Sequence, residues 1–449
     1  MTDLAELRTL VTSPVLLPTD DGFAEEATGQ NLRHVHHPQV IVAATSAEDV
    51  ATVVSFARGH ALAVRVLATG HGIYAPVTDG VLLTTRHLTG VTIDADTRTA
   101  RVAAGEQWAA VVAAAAPHGL APIAGSSASV GVVGYLLGGG FGPLVRSHGV
   151  SSDHVRSLTV VTGTGEIVTA SDSQESDLFW ALRGGKGGLG IVTEVEIALA
   201  AIDTLYAGSL TILNEGVEPA LRAWLDFTLT APDDVSTSVS LSHYPDLDFL
   251  PEPLRGQDVL ALRFAYPGEA EEGARVAAPL RAAAPALVDT IDVLPLADVA
   301  TIHSDPTDPA PSWTTAITFG PIDQDFASAL LAAAGPRAGT PFVAAELRHL
   351  GGAVRASGEG AVGGREAEYI LTLVAITPVP EAVTAAETAA LAIADALRPW
   401  ALATNSINFY PAHLPHAERY TSSWPEETRA RLAAVRGAVD PDGVFPYGA

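Results

Sequence analysis

Residues 125–153, GSSASVGVVGYLLGGGFGPLVRSHGVSSD, place five glycines (Gly134, Gly138, Gly139, Gly140 and Gly142) within nine positions of an otherwise apolar run. A backbone without Cβ approaches a ligand closely and takes positive φ cheaply, at an entropic cost an ordinary core would not carry. Loops of this kind, with N–H groups turned inward, hold phosphate-bearing cofactors. The alternative is a packing corner of small residues. A cofactor loop is expected.

The 449 residues exceed one compact core, and two lobes are expected. Hydrophobic residues make up 48% and the mean hydropathy is +0.26, ample for burial. The longest apolar run, WAAVVAAAA at 108–116, falls short of the roughly 18 residues a membrane span needs. No basic stretch leads into an apolar core in MTDLAELRTLVTSPVLL, so no secretory leader is expected and the cytoplasm is the default. Cysteine is absent, which removes disulfides, thiolate nucleophiles and zinc–thiolate sites. A net charge of −26 repels nucleic acid and anionic membranes, and neither is expected as a partner. Lys186 is the only lysine.

The N-terminal part reads as mixed α and β. QVIVA begins a strand at Val40, and Ser46 ahead of Glu48 and Asp49 marks a helix start. LAVRVLATGHG is a second strand running into a glycine turn, and 81–105 alternates like antiparallel strands. A helix at 106–118, a hairpin turning at Gly163-Thr164-Gly165 and a short helix, glycine loop and strand over 177–199 follow. From about 200 to 404 the spacing predicts strands at 206–213, 235–243, 258–266, 313–320, 342–350 and 367–375. Helices are predicted at 217–230, 270–284, 323–335 and 380–398, giving an antiparallel sheet backed by helices. Segments 244–257 and 302–312 read as surface loops, and the tail ends in a helix at 425–438 and a DPDG turn.

Six blocks in this order carry a resemblance: PQVIVAATSAEDV, VRVLATGHG, VGVVGYLLGGGFGPLVRSHGVSSD, DLFWALRGGKGGLGIVTEVE, ELRHLGGA, and the terminal NFY with DPDGVF. The chain resembles FAD-linked oxidases of the vanillyl-alcohol oxidase/p-cresol methylhydroxylase (PCMH) superfamily, in the berberine bridge enzyme-like and 6-hydroxynicotine oxidase-like branch. The resemblance implies an α+β fold with a PCMH-type FAD-binding lobe at 1–200, a substrate lobe at 201–404, and a C-terminal segment at 405–449 returning to the first lobe. It implies a flavin pyrophosphate held by Leu67, Ala68, Thr69, Gly70, His71 and Gly72 together with the glycine run. No G-x-G-x-x-G opens a helix near the N-terminus, in accord with that expectation.

The same resemblance places covalent flavin attachment at His71, with a turn histidine as the alternative. Ser127 stands where doubly linked relatives carry cysteine, and a hydroxyl is too weak a nucleophile for that bond unaided. One link is therefore expected. Ser126, Val130, Gly131, Tyr135, Gly188, Gly190, Ile191 and Asn408 join the expected cofactor contacts, Val130 favouring oxygen access to the flavin. Lys186 would neutralise pyrophosphate or charge near the ring, or else be a solvated loop residue.

For catalysis the flavin takes a hydride and the protein removes a proton. On VAAELRHLGG, period-2 alternation puts Glu346 and Arg348 on one face, Leu347 and His349 on the other. Glu346 is the first choice of general base, against a structural Glu–Arg pair; Tyr244 and Tyr410 are further candidates, and Trp313 a cavity wall or a core residue. The histidines at 36, 37, 243 and 303 show no metal spacing, and no metal is expected. The expectation is an oxidase of a CH–OH or CH–NH group in a small or medium organic substrate, passing electrons to O2 to give H2O2, as a monomer or homodimer. The alternatives are a same-fold dehydrogenase with another electron acceptor, or a flavin-binding protein without turnover.

Overall fold

The computed structural model describes residues 4–73, 75–248, 250–356 and 358–446. Three sheets organise it. The first is four-stranded, with β1 (Val15–Leu16), β2 (Val40–Ala43), β3 (Val64–Leu67) and β4 (Val81–Thr84) in the order β1-β2-β4-β3. Strand β4 runs parallel to both β2 and β3, which corrects the reading of 81–105 as antiparallel throughout. Its VLLT is buried on both faces, the pattern of a parallel strand. The crossover from β2 to β3 is the helix Ala47–Gly59, whose Ser46 side chain accepts from the Asp49 N–H as a cap.

The second sheet is antiparallel: β5 (Val91–Asp94), β6 (Thr99–Ala103), β7 (Val155–Val161), β8 (Ile167–Ser171) and β9 (Ile191–Ala198), ordered β5-β6-β9-β7-β8. Its 163–165 hairpin turn stands where the sequence put it. The helix expected at 106–118 starts later, at Trp108, and ends in a 3-10 turn.

The third sheet holds β10 (Thr204–Leu213), β11 (Ser236–His243), β12 (Asp258–Tyr266), β13 (Ala286–Asp289), β14 (Asp292–Pro295), β15 (Ser312–Phe319), β16 (Ala344–His349) and β17 (Tyr369–Ile376). Its order is β13-β10-β12-β11-β16-β17-β15, with β14 also on β10, and every pairing is antiparallel. The six expected strands are present, and β13 and β14 are additional. Helices Val217–Thr228, Ala270–Arg281, Gln324–Ala334 and Pro380–Leu397 lie close to their expected positions. Trp224, Phe326 and Trp313 are buried with them in one large apolar core, so Trp313 is a core residue stacked near Phe342. Among the described residues no helix is long and apolar enough to cross a membrane.

Candidate functional site

Strand β3 delivers the loop at 68–72. Gly70 has φ +79°, and a Cβ there would fall 2.8 Å from the Gly29 Cα. Only glycine lets the loop press on this segment, where the Gln30 N–H donates to the Thr69 carbonyl at 2.8 Å. So held, the loop turns its own amides away: among the described residues the N–H groups of Ala68, Thr69, Gly70 and His71 donate to nothing. The same holds for Ser126 to Ser129 and for Gly187 to Leu189. Runs of free N–H groups in turns form anion-binding concavities.

His71 joins the first two loops. Its Nδ1 lies 2.9 Å from the Thr69 hydroxyl and its Nε2 3.3 Å from that of Ser129, which in turn meets Ser127 at 3.2 Å. Burial pushes its pKa down to about 4, so the imidazole is neutral at pH 7 and keeps a nucleophilic nitrogen. Lys186 belongs to the third loop and is not solvated as a loop lysine would be. Its Nζ donates to the Gly134 carbonyl at 2.8 Å and to Asn408 Oδ1 at 2.9 Å, and burial lowers its pKa to about 8. Both acceptors are neutral. Asn408 donates in turn to the Tyr135 carbonyl at 2.7 Å, drawing the C-terminal segment onto the glycine run.

In the glycine run the N–H groups of Gly140, Phe141 and Gly142 likewise donate to nothing among the described residues. The N–H groups of Gly138 and Gly139 are taken by the Tyr135 and Leu136 carbonyls, as a short helix at Val132–Leu136 unwinds. A Cβ at Gly140 (φ +96°) would strike the Tyr135 ring, one at Gly142 the Ala124 carbonyl, and one at Gly138 the Asn408 side chain. At those three positions glycine is required by close packing against Asn408, Tyr135 and Ala124. Only Gly134 has open space where its Cβ would be. The Tyr135 hydroxyl is buried near Ser151 without forming a hydrogen bond, and burial pushes its pKa up to about 12. An orphaned buried hydroxyl is costly unless a ligand atom completes it.

The third sheet supplies the other half of the site. Registers Ser238↔Arg348, Ser238↔Arg263 and Ser240↔Glu346 bring one face of β11, β12 and β16 together. Glu346 accepts on Oε1 from Arg263 at 3.1 Å and from the Ser238 hydroxyl at 3.0 Å, and on Oε2 from Arg348 at 2.9 Å. His303 Nε2 lies 3.4 Å from Oε1. Burial raises the Glu346 carboxyl, but the Arg348 and Arg263 guanidiniums and His303 outweigh it and hold the group well below the usual range. Arg348 reaches on to the Phe141 carbonyl at 3.1 Å and to the Ser126 hydroxyl at 3.3 Å, and that hydroxyl donates to Asp305 at 2.7 Å. A polar network thus runs from Glu346 to the 126–129 loop and so to His71.

Segment 302–312, read as a surface loop, therefore contributes two network residues, His303 and Asp305. The sequence signal was slight: Ile302 and His303 precede a proline-rich stretch that looks unordered. His349, on the opposite face of β16, stacks on Tyr369 at 5.1 Å between ring centres and sits 3.1 Å from Arg146; burial lowers its pKa to about 2. Tyr244 follows β11 four positions beyond Ser240, about 13 Å along the strand from the Glu346 row. Tyr410 packs with Arg419 and Tyr420. Neither is brought to Glu346. Leu67 is core, its Cδ1 packed beneath Gly70 and Gly29, and Ile191 is buried in the cluster that holds Val161 and Val54.

Comparisons bear on this arrangement. Residues 38–171 match the family described as FAD binding domain. Over 200 residues, 44% of this chain and 44% of the relative, the sequence is 36% identical to (R)-6-hydroxynicotine oxidase of Paenarthrobacter nicotinovorans. The matches to curated relatives span about half or less of those proteins' lengths. The crystal structure of 6-hydroxy-D-nicotine oxidase from Arthrobacter nicotinovorans superposes with a TM-score of 0.84 at 26% identity, covering 97% of this chain and 96% of that one. Physcomitrella patens BBE-like 1 shares the fold with a TM-score of 0.85 at 20% identity, covering 100% of this chain and 98% of its own.

Proposed function

From a chain that carries an FAD-binding domain and the fold of the BBE-like flavoproteins, we propose an FAD-dependent oxidase that carries its flavin on one histidine, His71. It oxidises a CH–OH or CH–NH group of a small or medium organic molecule and passes the electrons to O2, giving H2O2. Residues 1–200 with 405–449 form the cofactor lobe and 201–404 the substrate side. The observation that carries the reading is the meeting of two runs of free amides, 68–71 and 126–129, at a neutral, part-buried His71.

The residues present fit the dinucleotide. The amide runs offer donors to a pyrophosphate. His71 offers one uncharged imidazole nitrogen as the tether, and Ser127 offers no second one. Lys186, held among the described residues by two neutral oxygens, supplies a positive charge for an anionic portion of the cofactor. When bound, FAD supplies the two-electron acceptor that no side chain here provides. The protein's share is to bind, to orient the substrate beneath the third sheet and to remove a proton. Glu346 and Arg348 share one face of β16, and Arg348 links that face to Ser126.

The test is optical. The purified protein should be yellow, bleach under anaerobic dithionite, and regain its colour promptly in air. Slow reoxidation in air would move it to dehydrogenases using another acceptor, and a colourless protein that stays so after incubation with FAD would refute the reading.

A further inference from the structure

Resting on the reading of the protein as a flavin oxidase, we propose that His303, positioned by Glu346, receives the proton that the substrate loses. Glu346, first choice from the sequence, is already paired at both oxygens. Arg263 and Ser238 donate to one oxygen and Arg348 to the other, and two guanidiniums make its ionised form a poor proton acceptor. His303 faces the same carboxylate with Nε2, at 3.4 Å, while its Nδ1 is buried with no hydrogen-bond partner among the described residues. An ionised carboxylate beside Nε2 selects the tautomer with hydrogen on Nε2, leaving the Nδ1 lone pair free. A cavity of about 20 Å3, lined in part by Ser238, Arg263, His303 and Arg348, has room for one water.

Charge supports the same assignment. From the elements packed on this imidazole, Arg263, Glu346 and Arg348 act on it, and Asp305 lies two residues along its own segment. Two guanidiniums and two carboxylates sum to zero. Burial first, then the two arginines, lower the His303 pKa against the pull of Glu346, so the ring is neutral and ready to accept. In the step itself, the substrate C–H bond delivers hydrogen and its electron pair to FAD. The O–H or N–H proton passes to His303 Nδ1, and a C=O or C=N bond forms. The substrate is oxidised, the flavin reduced, and the new positive charge on His303 offsets the negative charge the flavin gains.

The test needs no substrate. Spectroelectrochemical titration of the holoenzyme reads how many protons accompany two electrons, from the slope of midpoint potential against pH. Each proton contributes about 30 mV per pH unit. Around neutral pH the His303→Asn holoenzyme should show a slope shallower by one proton than wild type. Equal slopes would overturn the proposal, and a loss in Glu346→Gln but not in His303→Asn would move the proton to Glu346. Should His303→Asn fold poorly, 15N spectra of the wild-type imidazoles read the same event. Protonation of His303 Nδ1 on reduction supports the proposal, and an unchanged ring contradicts it. Failure to bind flavin would instead contradict the functional reading beneath it.

Discussion

Val130 closes the loop that carries Ser126 to Ser129. Its carbonyl accepts from the Trp108 N–H at 3.1 Å, and its side chain is part-buried against the large core. A residue so placed leaves little slack, and one added methylene at a packed position costs on the order of 1–3 kcal/mol when the space is needed by something else. If that space admits O2 to the flavin, Val130→Ile should slow reoxidation in air roughly tenfold, the effect of about 1.4 kcal/mol on a barrier. Reduction by dithionite should be untouched. Stopped-flow absorbance decides it, and an unchanged reoxidation rate would remove Val130 from the oxygen path. His71 and Lys186 show a shared trait at this scale. Each is an ionisable side chain part-buried among neutral partners, which suits a ligand that brings its own charge.

At the scale of elements, strand β16 shows what alternation conveys and what it omits. Period 2 separated Glu346 and Arg348 from Leu347 and His349. In the fold the Leu347 and His349 face is buried and the Glu346 and Arg348 face part-buried, but alternation in the sequence alone does not say which pair looks toward the cofactor loops. That follows from register with β11, where Ser238 and Ser240 lie opposite, and from the reach of Arg348 to Ser126. Segment 302–312 is the complementary case. Its Asp and Pro content reads as loop because its order comes from distant partners, Glu346 for His303 and Ser126 for Asp305. The glycine run told of close approach but not of what approaches. At Gly138, Gly140 and Gly142 it is the protein itself. By contrast, β2 with its capped helix, the 163–165 hairpin and the six long strands of the third sheet were legible, because local alternation, caps and turns decide them.

For the molecule as a whole, buried neutral histidines set the response to acid. His34, His71 and His413 are pushed down to about 4 by burial, from an ordinary value of 6.5. Below 6.5 the unfolded chain binds protons at these sites and the folded one does not. Stability is therefore lost as pH falls from about 6.5 toward 4. The 26 excess negative charges act oppositely, since titrating carboxylates relieves repulsion, but this is screened in about 0.15 M salt. The melting temperature in such salt should fall steadily between pH 6.5 and 4.5; a flat or rising profile would contradict the burial of these rings. A flavin tethered at His71 stays with the chain on unfolding, so it should raise the melting temperature only through the contacts the folded loops make with it, and the flavin-free protein should melt lower.

The central claim is a dinucleotide held by main-chain amides and tethered to one imidazole. Intact mass spectrometry after acid denaturation tests it most directly. The prediction is a polypeptide heavier by one FAD in wild type, and an unadorned polypeptide with freely released yellow cofactor in His71→Ala. Complete release of FAD from the wild-type chain by denaturation would contradict the tether, and no FAD in either protein would contradict the account.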